Sequence, residues 1–373
     1  MFVVNVQYTY PFLKKATIEF SRKSYYDGRT LRINHFKNCY ALPYKALKNN
    51  NSNNIIGGGL IVPQLFQSIG TIYECENNCC EHIGCDAIFI GYMCSTCWGH
   101  TITDSFARLW WVVKESDRLE LDNMQIFYYG EENLTGNYLE IIKLLGISED
   151  RLHYIKSVTH FDSVFVPDVC FDNLRMPIRY TKEYVSLIDR LVLRSFVSEK
   201  YSKIFLMKAN SKRQICSEEI RQIITAEGYV CINPEQLSVD KQIGIFQNAQ
   251  IIISEEGSLS HNCIFCKEGT KIILLRKANS INIYQTIINQ IRKLDVTYID
   301  CNLSILNNPQ HPHRGPFFLF ANENFCNYFN CNKRPFPYDE FYNYLKNCIK
   351  PSNCDKYKLD YRYSDIINTT LKN

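Results

Sequence analysis

In the second half of the chain, short apolar runs alternate with amphipathic stretches. Lys203 to Met207, Gly228 to Ile232, Gln250 to Ser254, Lys271 to Leu275 and Val296 to Ile299 have the length and flanks of buried strands. Ser217 to Glu227, Ser238 to Asn248 and Ser258 to Cys266 carry helical periodicity. Ser217 opens its helix as a cap, followed by acids that suit the helix dipole. Strand–helix alternation with short links predicts a parallel sheet covered on both faces, a Rossmann-like arrangement. The pattern before it is less regular. Ala87 to Gly91, Ile126 to Tyr129, His153 to Ile155 and Ser163 to Val166 read as strands. Thr101 to Glu115, Gly136 to Leu145 and Tyr180 to Glu199 read as helices, which predicts a second α/β domain. Asn49 to Gly59 (NNNSNNIIGGG) reads as a turn-rich linker or exposed loop. Beyond Asn307 the chain is rich in Pro, Asn and aromatics and is expected to pack back, covering its Phe and Tyr side chains. The expected division is therefore 1–180, 181–306, and a tail 307–373 returning to the N-terminal domain.

Composition adds limits. A chain of 373 residues is long enough for two domains, and 46% hydrophobic with 13% aromatic residues excludes low-complexity disorder. A net charge of +4 is too mild to argue for nucleic acid as a partner. The 17 cysteines are an odd count. The first twenty residues lack the order of a signal peptide, and no run approaches the roughly 18 apolar residues of a membrane span. The expectation is a cytoplasmic protein with reduced thiols that serve mostly as small buried hydrophobes. The pairs Cys94/Cys97 and Cys263/Cys266 have zinc-like spacing but lie too far apart to form one site. Cys75, Cys79, Cys80 and Cys85 with His82 are the best metal candidate, against the plainer reading of a Cys-rich loop, and no metal ligand is assigned.

Ligands of open parallel sheets bind beyond the carboxyl ends of the strands. Three polar segments fall there. After the strand at 203–207 come Lys208, Asn210, Lys212 and Arg213, cations suited to a phosphate or, equally, to a solvated loop. After the strand at 250–254 come Glu255, Glu256, Gly257, Ser258, His261 and Asn262, where glycine admits close approach of a ligand and an ordinary helix cap explains part of the pattern. This is not a GxGxxG run, so a nicotinamide cofactor is not implied. The third is Trp98-Gly-His100-Thr-Ile-Thr-Asp104. His100 and Asp104 lie four apart on one helical face, as a general base with its carboxylate or as a capping histidine above a surface acid. An Asp-x-Asp metal motif, a serine-hydrolase elbow and a Lys-Ser/Thr phosphate loop are all absent.

The run from Ile204 to Phe265 resembles the C-terminal half of glycosyltransferase family 61, of the bacterial capsular-polysaccharide type. The matching residues are Lys208, Lys212, Arg213, Ser217, Glu218, Gly228, Tyr229, Pro234, Glu235, Gln242, Ala249, Gly257, Ser258, Asn262 and Phe265. The stretch WGHTITDSFARLW, from Trp98 to Trp110, resembles that family's other signature, Gly-His-Phe plus an acid and then Arg-Leu-Trp. The two matches stand in the right order and bracket about half of the chain. Lys208 and Ser217 replace the family's usual Arg and Asn, and Glu255-Glu256 its Pro-His.

The resemblance implies a GT-B architecture of two Rossmann-like domains, the first binding the acceptor and the second a nucleotide sugar. It implies metal-independent, inverting transfer from a UDP-linked donor to a glycan or lipid-linked saccharide, with no cofactor. Lys208, Lys212, Arg213, Glu218, Gly257, Ser258, His261 and Asn262 are the expected donor-binding residues. The base is His100, Asp104 or Glu256. A carboxylate at Glu256 would repel a diphosphate, so that side chain is expected to bond a hydroxyl or to act as base. Lys14, Lys15, Arg22 and Lys23 offer a peripheral contact to an anionic membrane face. The alternative is a non-catalytic sugar-nucleotide-binding or scaffold protein of the same fold. Oligomeric state is left open.

Overall fold

Runs such as IIISE and KIILLR are apolar on both faces, as strands covered by helices on both sides must be. A computed structural model describes residues 3–48, 54–63, 67–74, 80–114, 123–173, 176–195, 200–208, 214–303, 306–307, 317–341, 343 and 358–359. The main elements in chain order begin with β1 (Val3–Tyr8), α1 (Pro11–Arg22), β2 (Ile33–Lys48), β3 (Asn54–Val62), β4 (Gln67–Thr71) and β5 (Cys80–Tyr92). Next come α2 (Trp98–Thr101), α3 (Trp110–Lys114), β6 (Gln125–Tyr129), α4 (Gly136–Leu144), β7 (Leu152–Tyr154), β8 (Val158–Pro167) and α5 (Lys182–Arg194). Then follow β9 (Lys203–Leu206), α6 (Glu218–Ala226), β10 (Val230–Ile232), α7 (Val239–Asn248), β11 (Ile251–Glu255) and α8 (Ser258–His261). The last are β12 (Lys271–Arg276), α9 (Ile283–Ile291), β13 (Asp295–Asp300), β14 (Phe317–Leu319) and α10 (Glu323–Phe329).

Two compact units result, Met1–Ser24 with Val197–Asn373, and Tyr25–Phe196. The first holds a six-stranded sheet in the order β1-β13-β12-β11-β9-β10, parallel throughout. The units fall elsewhere than the expected boundaries. The N-terminal residues join this sheet because β1 pairs with β13, Val4 opposite Val296. Helix α5 goes with the other unit. Of the tail, β14 pairs with Gln214–Cys216 and Asn302–Leu303, and Phe325 of α10 enters the core formed by Phe205, Ile253, Ile273 and Ile299.

A buried ion pair joins the N-terminal helix to this sheet. Arg276 at the end of β12 and Asp300 at the end of β13 are fully buried, with Nη1 donating to Oδ1 at 2.9 Å. Arg276 Nη2 donates to Thr17 Oγ1 of α1 at 2.9 Å, and the guanidinium lies over the Tyr298 ring. Asp300 Oδ2 accepts the Tyr10 N–H at 2.6 Å, so the carboxylate holds the residue that opens α1.

The unit Tyr25–Phe196 carries a seven-stranded sheet, β4-β3-β2-β8-β5-β6-β7. Strands β8, β5, β6 and β7 pair in parallel, whereas β8, β2, β3 and β4 form an antiparallel meander. It is an α/β unit with a mixed sheet, not the wholly parallel one a second Rossmann-like domain would have. The glycines expected in a loop lie inside β3, and Gly57, Gly58 and Gly59 are buried; residues 49–53 lie outside the described residues. Gly58 and Gly59 have φ of +129° and +141°. A Cβ on Gly59 would stand 2.1 Å from the Ile69 carbonyl, and one on Gly58 2.7 Å from the Tyr129 ring. The helix expected over 101–115 is broken into α2, a 3₁₀ turn at Ser105–Arg108, and α3. The Thr101 and Thr103 hydroxyls bond back to the Cys97 and Gly99 carbonyls and compete with regular helical pairing. Among the described residues no helix is long and apolar enough to cross a membrane.

Two substitutions test this account in urea titrations. Gly59→Ala should cost about 1–3 kcal/mol, because the added methyl meets backbone and not a side chain that can turn away. Asp300→Ala should cost about 3–5 kcal/mol by stranding a buried guanidinium. The double change Arg276→Met with Asp300→Leu should recover most of that loss, and its failure to do so would show that shape and not charge is limiting.

Candidate functional site

The carboxyl ends of β9, β11, β12 and β13 are neighbours in the parallel sheet. Leu206 stands opposite Ser254, Glu255 opposite Leu275, and Arg276 opposite Asp300. The residues that follow these strands therefore gather along one edge: Lys208, Glu255 with Glu256 and Gly257, Arg276 with Lys277, and Asp300. Gly257 adopts φ +134°, a conformation closed to other residues at low cost. An ideal Cβ there would lie 2.5 Å from Lys277 Nζ, so the ammonium passes directly over the glycine. Lys277 is half-buried and also faces the Phe317 ring.

Glu255 and Glu256 are buried. Burial pushes the Glu255 carboxyl up to about 7, against the pull of Lys277 and Lys208. Burial likewise raises Glu256 to about 7, opposed by Arg276 and Lys277 and assisted by the negative charge of Asp300. Among the described residues Glu255 Oε2 has no hydrogen-bond partner. Two carboxyls poised near neutrality beside two half-buried lysines form an edge with the charges to meet an anion and the groups to exchange protons.

The other expected donor residues fare differently. Asn210, Lys212 and Arg213 lie outside the described residues. Glu218 pairs with Arg221 one turn along its own helix, and its N–H donates to Glu340 at 3.2 Å. Ser217 stands at the cap position, yet its Oγ makes no cap bond. Ser258 is the first residue of α8; Gly257 is the cap, and Ser260 Oγ closes the turn by accepting the Gly257 N–H. His261 and Asn262 are buried, with Asn262 Nδ2 donating to the Leu259 carbonyl and the His261 ring tilted against Tyr284.

His100 and Asp104 lie in the other unit, on α2 and in the turn after it. His100 Nδ1 meets Asp104 Oδ1 at 3.0 Å. Thr103 Oγ1 donates to the same oxygen at 2.7 Å, and Asn173 Nδ2 to Oδ2 at 2.7 Å. A carboxylate held from both oxygens orients the imidazole and leaves Nε2 as its basic nitrogen, the geometry of a general base. Of the metal candidate only Cys80, His82 and Cys85 fall among the described residues. Cys75 and Cys79 lie outside the described residues, Cys85 is exposed, and His82 turns to Asp162. Cys94 is buried in one unit, and Cys263 and Cys266 in the other.

Residues 98–273 match the family model Glycosyltransferase 61. The chain carries a glycosyltransferase family 61 domain over those residues, a little under half of its length. It is a glycosyltransferase, with a donor and an acceptor substrate. A search of the curated proteins found no match. The family 61 match begins at the His100 segment and runs through Gly257, but ends before Arg276, Lys277 and Asp300. Reading strand ends alone missed Arg276 and Lys277, although the pair closes an apolar run as Lys208 does. Asn173 carried no signal in the sequence.

The raised carboxyls predict a pH dependence of stability. Glu255 and Glu256 titrate near 4.5 in the unfolded chain and near 7 when folded, so the folded state holds extra protons between those values. Their burial is cheapest below about pH 4.5, and stability falls as pH rises through about 7. The melting temperature should drop between pH 5 and pH 8, and Glu255→Gln should flatten part of that drop. Parallel curves for the variant and wild type would place the titration elsewhere.

Proposed function

We propose that this glycosyltransferase transfers a sugar from a UDP-linked donor to a glycan or lipid-linked saccharide in polysaccharide assembly, with inversion and without a metal or other cofactor. The supporting observation is the convergence of Lys208, Lys277, Glu255 and Glu256 around Gly257 at the carboxyl ends of a parallel sheet, where sugar nucleotides bind in α/β folds. In this reading the protein is of a GT-B-like type whose N-terminal domain has a mixed rather than a Rossmann sheet, and its parallel-sheet unit binds the donor. The two lysines neutralise the departing diphosphate, a task a metal would otherwise perform, and Gly257 lets the phosphates approach the backbone. Lys212 and Arg213 supply further cations, and Ser258 a hydroxyl.

His100 is the base. Asp104 takes the hydrogen on Nδ1, and Nε2 removes the proton of the acceptor hydroxyl as it attacks the anomeric carbon. Glu256 hydrogen-bonds a hydroxyl of the donor while protonated, which its pKa near 7 permits. The enzyme acts in the cytoplasm, and the basic residues of α1 meet an anionic membrane face where lipid-linked acceptors are presented.

The experiment is a thermal-shift screen of nucleotide sugars, followed by transfer assays with the donor that raises the melting temperature. His100→Ala should lower kcat by about 10²–10⁴-fold, the usual contribution of a general base, with donor affinity unchanged. Lys277→Ala should weaken donor binding at least tenfold. Magnesium or manganese should not raise turnover. Full activity in His100→Ala would remove the imidazole from the mechanism, and strict dependence on added magnesium would overturn the metal-free reading.

A further inference from the structure

His82 on β5 and His160 on β8 stand directly opposite each other in the parallel pairing of those strands. Side chains in register on adjacent strands share a face, and Asp162, two residues beyond His160, shares it too. The three groups come together there. His82 Nε2 lies 2.9 Å from Asp162 Oδ1, and His160 Nδ1 lies 3.6 Å from the same oxygen. The two imidazoles stack, with centroids 5.2 Å apart. One ligand atom from each residue falls within 4.8 Å of the others.

A second observation comes from the opposite side of β8. Asn38 of β2 has φ +52°, and its Oδ1 lies 2.6 Å from His160 Nε2. An amide oxygen only accepts, so Nε2 carries the hydrogen and Nδ1 is the ring nitrogen turned toward Asp162. A ring nitrogen and a carboxylate oxygen then face each other at 3.6 Å, beyond a direct hydrogen bond and open to a bridging cation. A zinc ion bonded at about 2.0–2.1 Å holds its tetrahedral ligands roughly 3.3 Å apart. The observed separations of 2.9 and 3.6 Å bracket that value. Asn38 is then the outer partner that metal-bound imidazoles regularly have, fixing the tautomer and the ring.

We infer that His82, His160 and Asp162 form a binding site for a divalent transition-metal ion, with zinc as its occupant and Asn38 orienting His160. Two imidazoles and one carboxylate select zinc over magnesium or calcium, which take oxygen ligands. Water completes the coordination, since His82 and Asp162 are about half exposed at 59% and 49%. The ion ties β5 to β8 just before the irregularity between Ile83 and Asp86, and so pins their register. The site does not depend on the proposed transfer reaction, and its test is separate from it.

The test is calorimetric titration of the full chain with Zn²⁺ in a non-chelating buffer with a phosphine reductant, and the same titration of His82→Ala, Asp162→Asn and Asn38→Ala. Thiols can bind zinc as well, so the readout is the difference between variants, with Cys85→Ser as control. The wild type should show one zinc equivalent that is absent from His82→Ala and Asp162→Asn and retained in Cys85→Ser. Asn38→Ala should weaken it about 10- to 100-fold, as the loss of an outer partner does. Excess Mg²⁺ should not displace it, and zinc should raise the wild-type melting temperature but not that of His82→Ala. With Cu²⁺ as probe, electron paramagnetic resonance should show two nitrogen ligands in the wild type and one in His82→Ala. Equal zinc binding in wild type and His82→Ala, or its loss only with Cys85→Ser, would overturn the proposal.

Discussion

The parallel-sheet unit turns on one buried ion pair. Arg276 and Asp300 sit at the ends of adjacent strands, shielded from solvent, and find their hydrogen-bond partners in each other, in Thr17 of α1 and in Tyr10 at its start. That requirement binds the first 24 residues to a sheet whose other strands begin some 180 residues later. A charge pair of this kind adds little net stability over an apolar pair of the same volume. It does favour one docking of α1, because any other leaves Arg276 Nη2 and Asp300 Oδ2 without their hydrogen bonds to Thr17 and Tyr10.

The same strand ends carry the candidate donor edge, and the two features are coupled through charge. Glu256 lies 3.9 Å from Arg276 and feels Asp300 behind it, so the structural pair helps set the protonation of a site carboxyl. Gly257 is the steric complement of that arrangement. Without a Cβ it lets Lys277 cross the backbone beside the two acids, and burial keeps those acids near neutrality in spite of the lysines. A site of two weak acids and two cations can take up a multiply charged anion without bringing extra charge into the interior.

How far these features were legible depended on whether their cause was local. The strands at 203–206, 251–255, 271–276 and 295–300 were legible because double-sided burial demands unbroken apolar runs. Lys208, Glu255, Glu256 and Gly257 followed from the rule for strand ends. Strand β2 was hidden, since Asn38 and Pro43 break its pattern. Asn38 takes a left-handed turn opposite β8, and Pro43 sits at the register shift between Leu42 and Lys45. Both are tolerated by pairing on either side, which no local pattern reveals. The glycines of β3 read as a loop for the same reason: they serve close approach between strands.

By itself the sequence determined the α/β class, the parallel half, the glycosyltransferase signature and the His100–Asp104 pair, because each arises from spacing along a few turns or strands. Tertiary structure alone decided that β1 joins the far end of the chain, that Lys277 lies over Gly257, and that His82 meets His160 and Asp162. These are contacts between strands brought side by side by burial and hydrogen-bond register. Their partners lie from roughly 20 to almost 300 residues apart, a separation at which local propensity carries no information.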